Sequence, residues 1–386
     1  MKIEYVDQQP QETRFFEHVT EDHHDPMAEE LSPADVKHIA ETFKSTLSSA
    51  YNWDYSIPDS RIKRLYDLGK ELNWNVEKDL DWSERYPITE FPVDEKYNPY
   101  VGFKPYDDLP HDEKVRFSWH RQALGASGAL HGEQGALMVA AQLACNAPSY
   151  EAKLYAASQT FDEARHMEFF NKYIQHQIGI MYPVGAGLKK LIDTILQDER
   201  WDLKFIGMQI IIEGLALASF NTMKMQSNVP VHKTGLHYVI RDEARHVTFG
   251  VNFLEDYCKS LPKSDLEERA QFAVYALGMM TTGGGRSNGT KFYQRYNWDK
   301  DAVREHLSKN GTLAQSGEGF RGQLFGRVLP NLKRIGLLTD SVRPFYEKVG
   351  ALSYEELPSD AATSWENLSK PLVYEDHADS VVATGN

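Results

Sequence analysis

The pentapeptide Asp162-Glu163-Ala164-Arg165-His166 returns unchanged eighty residues later as Asp242-Glu243-Ala244-Arg245-His246. Residues at i and i+3 of a helix share a face, so each copy presents a glutamate and a histidine together. Thirty residues before Glu163 stands Glu133, in an Ala-rich run. Thirty before Glu243 stands Glu213, inside Ile210-Ile211-Ile212-Glu213-Gly214-Leu215-Ala216-Leu217. The triplet Glu133, Glu163, His166 thus recurs as Glu213, Glu243, His246 with every member offset by 80.

That spacing has a geometric meaning. Thirty residues let a helix run on for about three or four turns, reverse in a short loop and return antiparallel. Glu133 then faces Glu163 and His166 across one helix pair, and Glu213 faces Glu243 and His246 across another. Packing the pairs together places four carboxylates and two imidazoles at the centre of a bundle. Without a partner such a cluster repels itself and protonates, because isolated buried charges are costly. Two divalent cations offset the four negative charges and take the formal −14 of the chain to about −10. Oxygen and imidazole donors without thiolate fit iron or manganese.

A single Glu-x-x-His is weak evidence, since about one is expected by chance in a chain of this size. Glu21-Asp22-His23-His24 is such a case: it lies in an acidic start expected to be mobile, with no repeat and no upstream glutamate. The repeated motif is different. A pair of surface helices carrying Glu–Arg ion pairs does not account for Glu213, whose neighbours on both sides are apolar. Metal-bound histidines usually pass their second ring proton to a carboxylate. Asp162 and Asp242 are the candidates for that role, crossing between the helices, with Arg165 and Arg245 neutralising them.

The rest of the chain reads as support for this region. Residues 112–260 carry apolar positions at three- and four-residue spacing in four long segments. Asn146-Ala147-Pro148-Ser149 and Asn228-Val229-Pro230 punctuate the pairs, and the stretch from Pro183 to Trp201 separates them. Further helices are expected at 33–49, 60–73, 265–280, 299–309 and 319–335, and irregular wrapping structure between Trp74 and Pro110. No stretch alternates at period two for long enough to form a sheet, so the fold class is all-α. The organisation is a wrapping segment (1–110), the bundle (111–262), and a helical extension with a polar tail (263–386).

Composition narrows the class. The 386 residues are 41% hydrophobic and 25% charged, as in a folded soluble protein. The acidic balance argues against a nucleic-acid footprint. The longest apolar stretch, Gly207 to Phe220, is broken by Glu213 and falls short of the roughly 20 residues of a membrane span. No signal peptide is visible, and Cys145 and Cys258 alone imply a reducing cytoplasm. Thr281-Thr282-Gly283-Gly284-Gly285-Arg286-Ser287-Asn288-Gly289 lacks the ending of a P-loop and reads as a flexible loop or lid.

The paired Asp-Glu-x-Arg-His motifs with their preceding glutamates resemble the ferritin-like carboxylate-bridged di-iron oxidases and oxygenases. That group includes bacterial monooxygenase hydroxylases, ribonucleotide reductase small subunits, aldehyde-deformylating oxygenases and arylamine N-oxygenases. The resemblance spans about residues 115–260 and implies a ferritin-like four-helix bundle with additional N- and C-terminal helices. It makes Glu133, Glu163, His166, Glu213, Glu243 and His246 the ligands of two iron ions, with a mixed Mn/Fe pair as the alternative. The chemistry it implies is reductive activation of O2. Three departures stand out. Leu217 replaces the threonine of the hydrocarbon monooxygenases, Phe170 the radical tyrosine of the reductase subunits, and Val239 the third histidine of the arylamine N-oxygenases. A close copy of any of these types is therefore not expected. Storage ferritin is disfavoured by the long terminal segments.

The expected activity is that of a di-iron monooxygenase acting on a small, largely apolar or aromatic molecule. An external ferredoxin or reductase is the expected electron donor, and a homodimer is compatible with the reading. An oxidase or desaturase without oxygen insertion, and a non-catalytic iron-binding protein, are the alternatives. Phe161, Phe169, Phe170, Phe220, Phe249, Ile210, Leu217 and Met167 are near the ligands in sequence and are candidates for a pocket lining or simply for core. Tyr155 and Trp119 are candidates for electron transfer, although buried aromatics usually only pack.

Overall fold

A computed structural model describes residues 4–5, 45, 47–281, 296–310 and 320–359. Helix α1 (Ser60–Glu71) starts at Asp59, whose carboxylate accepts the Arg61 N–H at 2.9 Å, and it buries Ile62, Leu65 and Leu68 from one face. A wrapping segment containing the short α2 (Lys104–Asp107) leads into the first long pair, α3 (His111–Asn146) and α4 (Tyr150–Tyr173). Pro148 stands in the reversal between them, and the Ser149 hydroxyl caps α4 by accepting the Ala152 N–H at 3.3 Å. A π turn (Ile174–Ile178) ends α4, and β2 (Ile180–Met181) pairs in parallel with β1 (Glu4–Tyr5).

The second pair is α6 (Trp201–Gln226) and α7 (Pro230–Ser260). Pro230 opens α7, where the missing N–H costs no helical hydrogen bond. Helix α6 is widened by a π segment over Ile206–Ile212, immediately before Glu213. By length and composition α6 is apolar enough to cross a membrane, which corrects the sequence estimate of a shorter apolar stretch. In the fold 83% of its most apolar window is buried, so it is the central helix of the bundle. Beyond α7 come α8 (Lys263–Thr281), α9 (Lys300–Asn310), α10 (Phe320–Arg334) and α11 (Arg343–Lys348). This is the ferritin-like all-α bundle, with helical additions before and after it.

The core has two halves along the bundle. One is largely aliphatic and includes Val139, Leu143, Leu203, Ile206, Ile210 and Leu254. The other is aromatic and includes Trp119, Phe169, Phe170, Tyr173 and Phe220, with Trp74 and Tyr100 from the wrapping segment. Glu133 and Glu163 lie in sequence between residues of the two halves, Leu130 against Ala136 and Phe169 against Ala156.

Three expectations are corrected or fall elsewhere. The stretch between the pairs is not a plain connector: α5 (Ala186–Gln197) occupies it, burying Leu191, Ile192, Ile195 and Leu196. Its Ile192 needs the glycine at 135, since a Cβ there would come within 2.5 Å of Ile192 Cδ1. Of the helix expected over 33–49, residues 45 and 47–49 are not helical and the remainder lies outside the described residues. The Glu21–His24 stretch and residues 282–289 of the glycine-rich loop also lie outside them.

Candidate metal centre

All six repeated ligand candidates converge. Glu133 projects from α3, Glu163 and His166 from α4, Glu213 from α6, and Glu243 and His246 from α7. None is more than 4% exposed, which removes any surface ion-pair account of them. They form two groups that share one residue. Glu133, Glu163, His166 and Glu243 each bring a ligand atom within 4.8 Å of the others, and so do Glu163, Glu213 and His246.

The histidines are oriented alike. His166 Nδ1 is 3.2 Å from Glu133 Oε2, 3.2 Å from Glu163 Oε2 and 3.1 Å from Glu243 Oε1. His246 Nδ1 is 3.1 Å from Glu163 Oε1. Both Nε2 atoms point outward and cross between helices. His166 Nε2 on α4 meets Asp242 Oδ2 on α7 at 3.2 Å, and His246 Nε2 on α7 meets Asp162 Oδ2 on α4 at 3.3 Å. An outward Nε2–H held by a carboxylate leaves Nδ1 with its lone pair facing the cluster, which is the tautomer a metal needs.

Two arginines tie the aspartates into a ring. Arg165 Nη2 donates to Asp162 Oδ1 and, at 2.8 Å, to Asp242 Oδ2. Arg245 Nη2 donates to Asp242 Oδ1 at 2.6 Å and to Asp162 Oδ2 at 3.4 Å. The four outer residues named by the motif are thus brought together as a charge-balanced network around the two histidines. The ring has additions that motif reading missed. Trp74 Nε1 donates to Asp242 Oδ2 at 2.7 Å, and Asn73 Oδ1 accepts from Arg165 Nη1. No signal in the motif reaches Trp74, 168 residues away. Gln159 and Gln209 were also missed, although each stands one turn before a ligand glutamate, where a polar side chain is conspicuous.

The electrostatics of the site follow from burial and from the mutual repulsion of its carboxylates. Burial, with repulsion from Glu243, pushes the Glu133 carboxyl well above the usual carboxylate range. Burial does the same to Glu213, against the attraction of His246, and the other site glutamates add repulsion. Burial also opposes ionisation of Glu163, but the His246 and His166 imidazoles outweigh it and hold this group below its ordinary value. Burial disfavours both imidazolium ions, yet Asp242 and the glutamates raise His166, and Glu163 raises His246. Two buried atoms without a hydrogen-bond partner, Glu213 Oε2 and Glu243 Oε2, are ligand-type atoms, and the donor set is the oxygen and imidazole set of iron or manganese.

The surroundings sort the aromatic candidates. Phe169, Phe170, Phe220, Phe249, Ile210 and Leu217 are buried and Met167 is partly buried, whereas Phe161 is 60% exposed and does not belong to the core. The Tyr155 ring lies beside His246, with centroids 6.4 Å apart. The Trp119 indole instead donates to the Ile88 and Glu90 carbonyls of the wrapping segment. Cys145 is exposed, Cys258 is buried, and both are free thiols.

Similarity to known proteins is found at two levels. Solved structures similar to the chain include three single-residue variants of an R2-like ligand-binding oxidase with an anaerobically reconstituted Mn/Fe cofactor. One variant is 18% identical with a TM-score of 0.42 and matches 68% of this chain and 93% of its own. A second gives 18% and 0.41 over the same shares, and a third 19% and 0.40 over 67% and 93%. No curated protein matches. The model of the p-aminobenzoate N-oxygenase AurF family matches residues 58–309, well over half of the chain. Val239, fully buried one turn before Glu243, therefore marks a departure within that family. The protein is a non-haem di-metal oxidoreductase, and it belongs to the p-aminobenzoate N-oxygenase AurF family.

Proposed function

We propose that the protein is a monooxygenase that inserts one oxygen atom of O2 into a small aromatic substrate, with Glu133, Glu163, His166, Glu213, Glu243 and His246 as the ligands of two irons. The observation that carries the reading is the closed set of ligand atoms in two groups sharing Glu163. Bound irons supply reductive activation of O2. The protein's own part is to hold and shield. The aspartate–arginine ring keeps each histidine in one tautomer and one position. The fully buried site keeps bulk water away from a reactive oxidant.

The aromatic half of the core, in which Phe170 stands one turn after His166 and packs on Phe220 with ring centroids 5.4 Å apart, gives the apolar surroundings that favour an aromatic substrate class. The family name suggests an arylamine as the first probe. In that case the amine nitrogen gains one oxygen atom, the second leaves as water, and an external ferredoxin or reductase supplies two electrons with two protons from solvent. The test is reductant-dependent O2 uptake with p-aminobenzoate and related aromatic amines under labelled oxygen. Label in the product is the expected result. Substrate-dependent uptake with all label in water would establish an oxidase or desaturase instead.

A further inference from the structure

The hairpin of α6 and α7 departs from the acidity of the rest of the chain. From Gly214 to Arg241 no Asp or Glu occurs, although 56 of the 386 residues are acidic. The same stretch carries Lys224, Lys233, His237 and Arg241. The last three stand at four-residue spacing and share one face of α7. Lys224, in the last turn of α6, reaches across to them and donates to His237 Nδ1 at 2.8 Å. Arg241 lies over the Tyr238 ring, 5.6 Å from its centroid, and the His237 and Tyr238 ring centroids are 6.4 Å apart. Neither Lys224 nor Lys233 has an ion pair among the described residues. Burial, with Lys224 and Arg241 alongside, pushes His237 down to about 4, so its imidazole accepts as a neutral group and brings Lys224 no counter-charge. Burial and the repulsion of Lys233 lower Lys224 in turn. Cations crowded in this way are stabilised by carboxylates arriving from outside.

We infer that this face of the α6–α7 hairpin is the docking site of the electron donor, and that the donor is an acidic one-electron carrier protein of the ferredoxin type. The inference rests on the proposed function, in which a separate protein supplies the electrons. Charge selects the sign of the partner. The chain carries a formal −14, so an acidic protein is repelled by the molecule as a whole and steered to this face. Position selects its chemistry. Tyr238, half-buried at the middle of the stripe, stacks on Trp74 with ring centroids 4.9 Å apart. Trp74 Nε1 is 2.7 Å from Asp242 Oδ2, and that oxygen is 3.2 Å from His166 Nε2. A redox group seated over Tyr238 is therefore separated from His166 by three side chains in contact. Each docked carrier gives up one electron and leaves oxidised, so two encounters supply the two electrons of one turnover.

The test joins cross-linking to rapid kinetics, with a plant-type [2Fe–2S] ferredoxin as the acidic probe and the metal-loaded full chain as its acceptor. Carbodiimide couples amines to carboxylates in contact, and peptides joining Lys224 or Lys233 to ferredoxin are expected. The double variant Lys224→Glu with Lys233→Glu should lower the second-order rate constant for oxidation of reduced ferredoxin by about tenfold or more at low salt, and the difference should vanish at high salt. Lys259→Glu with Lys263→Glu makes the same change of charge at two exposed positions at and beyond the far end of α7, and should alter the rate constant by less than about threefold. If the first double variant loses its helical circular dichroism, Lys233→Glu alone carries the test with a smaller step. Equal ferredoxin rates at low salt in wild type and the folded Lys224→Glu, Lys233→Glu variant would overturn the inference. So would cross-links joining these lysines only to carboxylates of the same chain or of a second copy. Dithionite at high salt reports the metal centre separately: its failure to reduce the loaded protein would overturn the metal reading instead, and the cross-links would still decide the docking.

Discussion

The two halves of the repeat share a pentapeptide and an 80-residue offset, yet they are not equivalent in the folded protein. The first half is carried by two regular helices, α3 and α4. The second is carried by α7 and by an α6 whose π segment ends at Glu213. The aspartate supplied by the second half, Asp242, holds His166 and also receives Trp74 and both arginines. Asp162, supplied by the first half, holds His246 and receives the arginines. Glu133, Glu163, His166 and Glu243 gather in one group and Glu163, Glu213 and His246 in the other, with Glu243 Oε2 3.6 Å from His246 Nδ1. A repeat in sequence thus supplies matched side chains, while the elements packed around each half decide which partners each one meets.

The strongest way to break the comparison is through the residue both groups share. Glu163→Ala should reduce bound metal to less than one per chain and lower activity by more than about a hundredfold, beyond the range for outer partners. Glu213→Ala touches the three-membered group alone and should leave one metal bound. Metal analysis of the two purified variants checks this, and equal stoichiometry in both would contradict the sharing of Glu163.

Metal removal is the next largest effect, and its sign with pH follows from the raised groups. Glu133, Glu213, His166 and His246 all bind protons more readily in the folded metal-free protein than in the unfolded chain. Their contribution is therefore fully present at low pH and is lost as pH rises through their folded values. Glu163 and Asp242, held low, act in the opposite sense, and their contribution is lost only as pH falls through the acid range. From about pH 6 upward the metal-free protein should lose stability, whereas bound cations replace the protons. The gap in Tm between loaded and metal-free protein should widen from about pH 6 to about pH 8, by scanning calorimetry. A gap that narrows would show that protons do not occupy the site in place of metal.

Smaller effects sharpen the inequality of the outer ring. Asp242→Asn should weaken metal binding by about tenfold to a hundredfold, and Asp162→Asn by less, because Asp242 organises more partners. Trp74→Phe removes one hydrogen bond to Asp242 and should cost about 1 kcal/mol of stability, with both metals retained. Chemical denaturation measures it, and a loss of metal in Trp74→Phe would place the indole closer to the function than its geometry does.

Much of the site was legible because its chemistry is local and periodic. The i, i+3 spacing within each pentapeptide and the 30-residue return set four helices, their pairing and six converging side chains. Asp162, Asp242, Arg165 and Arg245 were legible for the same reason, being part of the repeated motif. Trp74 was not, since a partner 168 residues from Asp242 leaves no spacing to read. Gln159 and Gln209 carried a faint signal, polar residues one turn before ligand glutamates, which acquires meaning only when α4, α6 and α7 are packed. Helix α5 was passed over because its apolar face is short and sits between turn signals.

The sequence by itself determined the helical class and the six side chains that converge at the centre, because helix periodicity and the 80-residue repeat are properties of the chain. Only the tertiary structure decided which side chains meet across α4, α6 and α7: His166 with Asp242, His246 with Asp162, and Gln159 with both Glu163 and Glu213. Those depend on how α6, with its π segment, is rotated and seated against α4 and α7, and that is settled by packing between residues far apart in the chain.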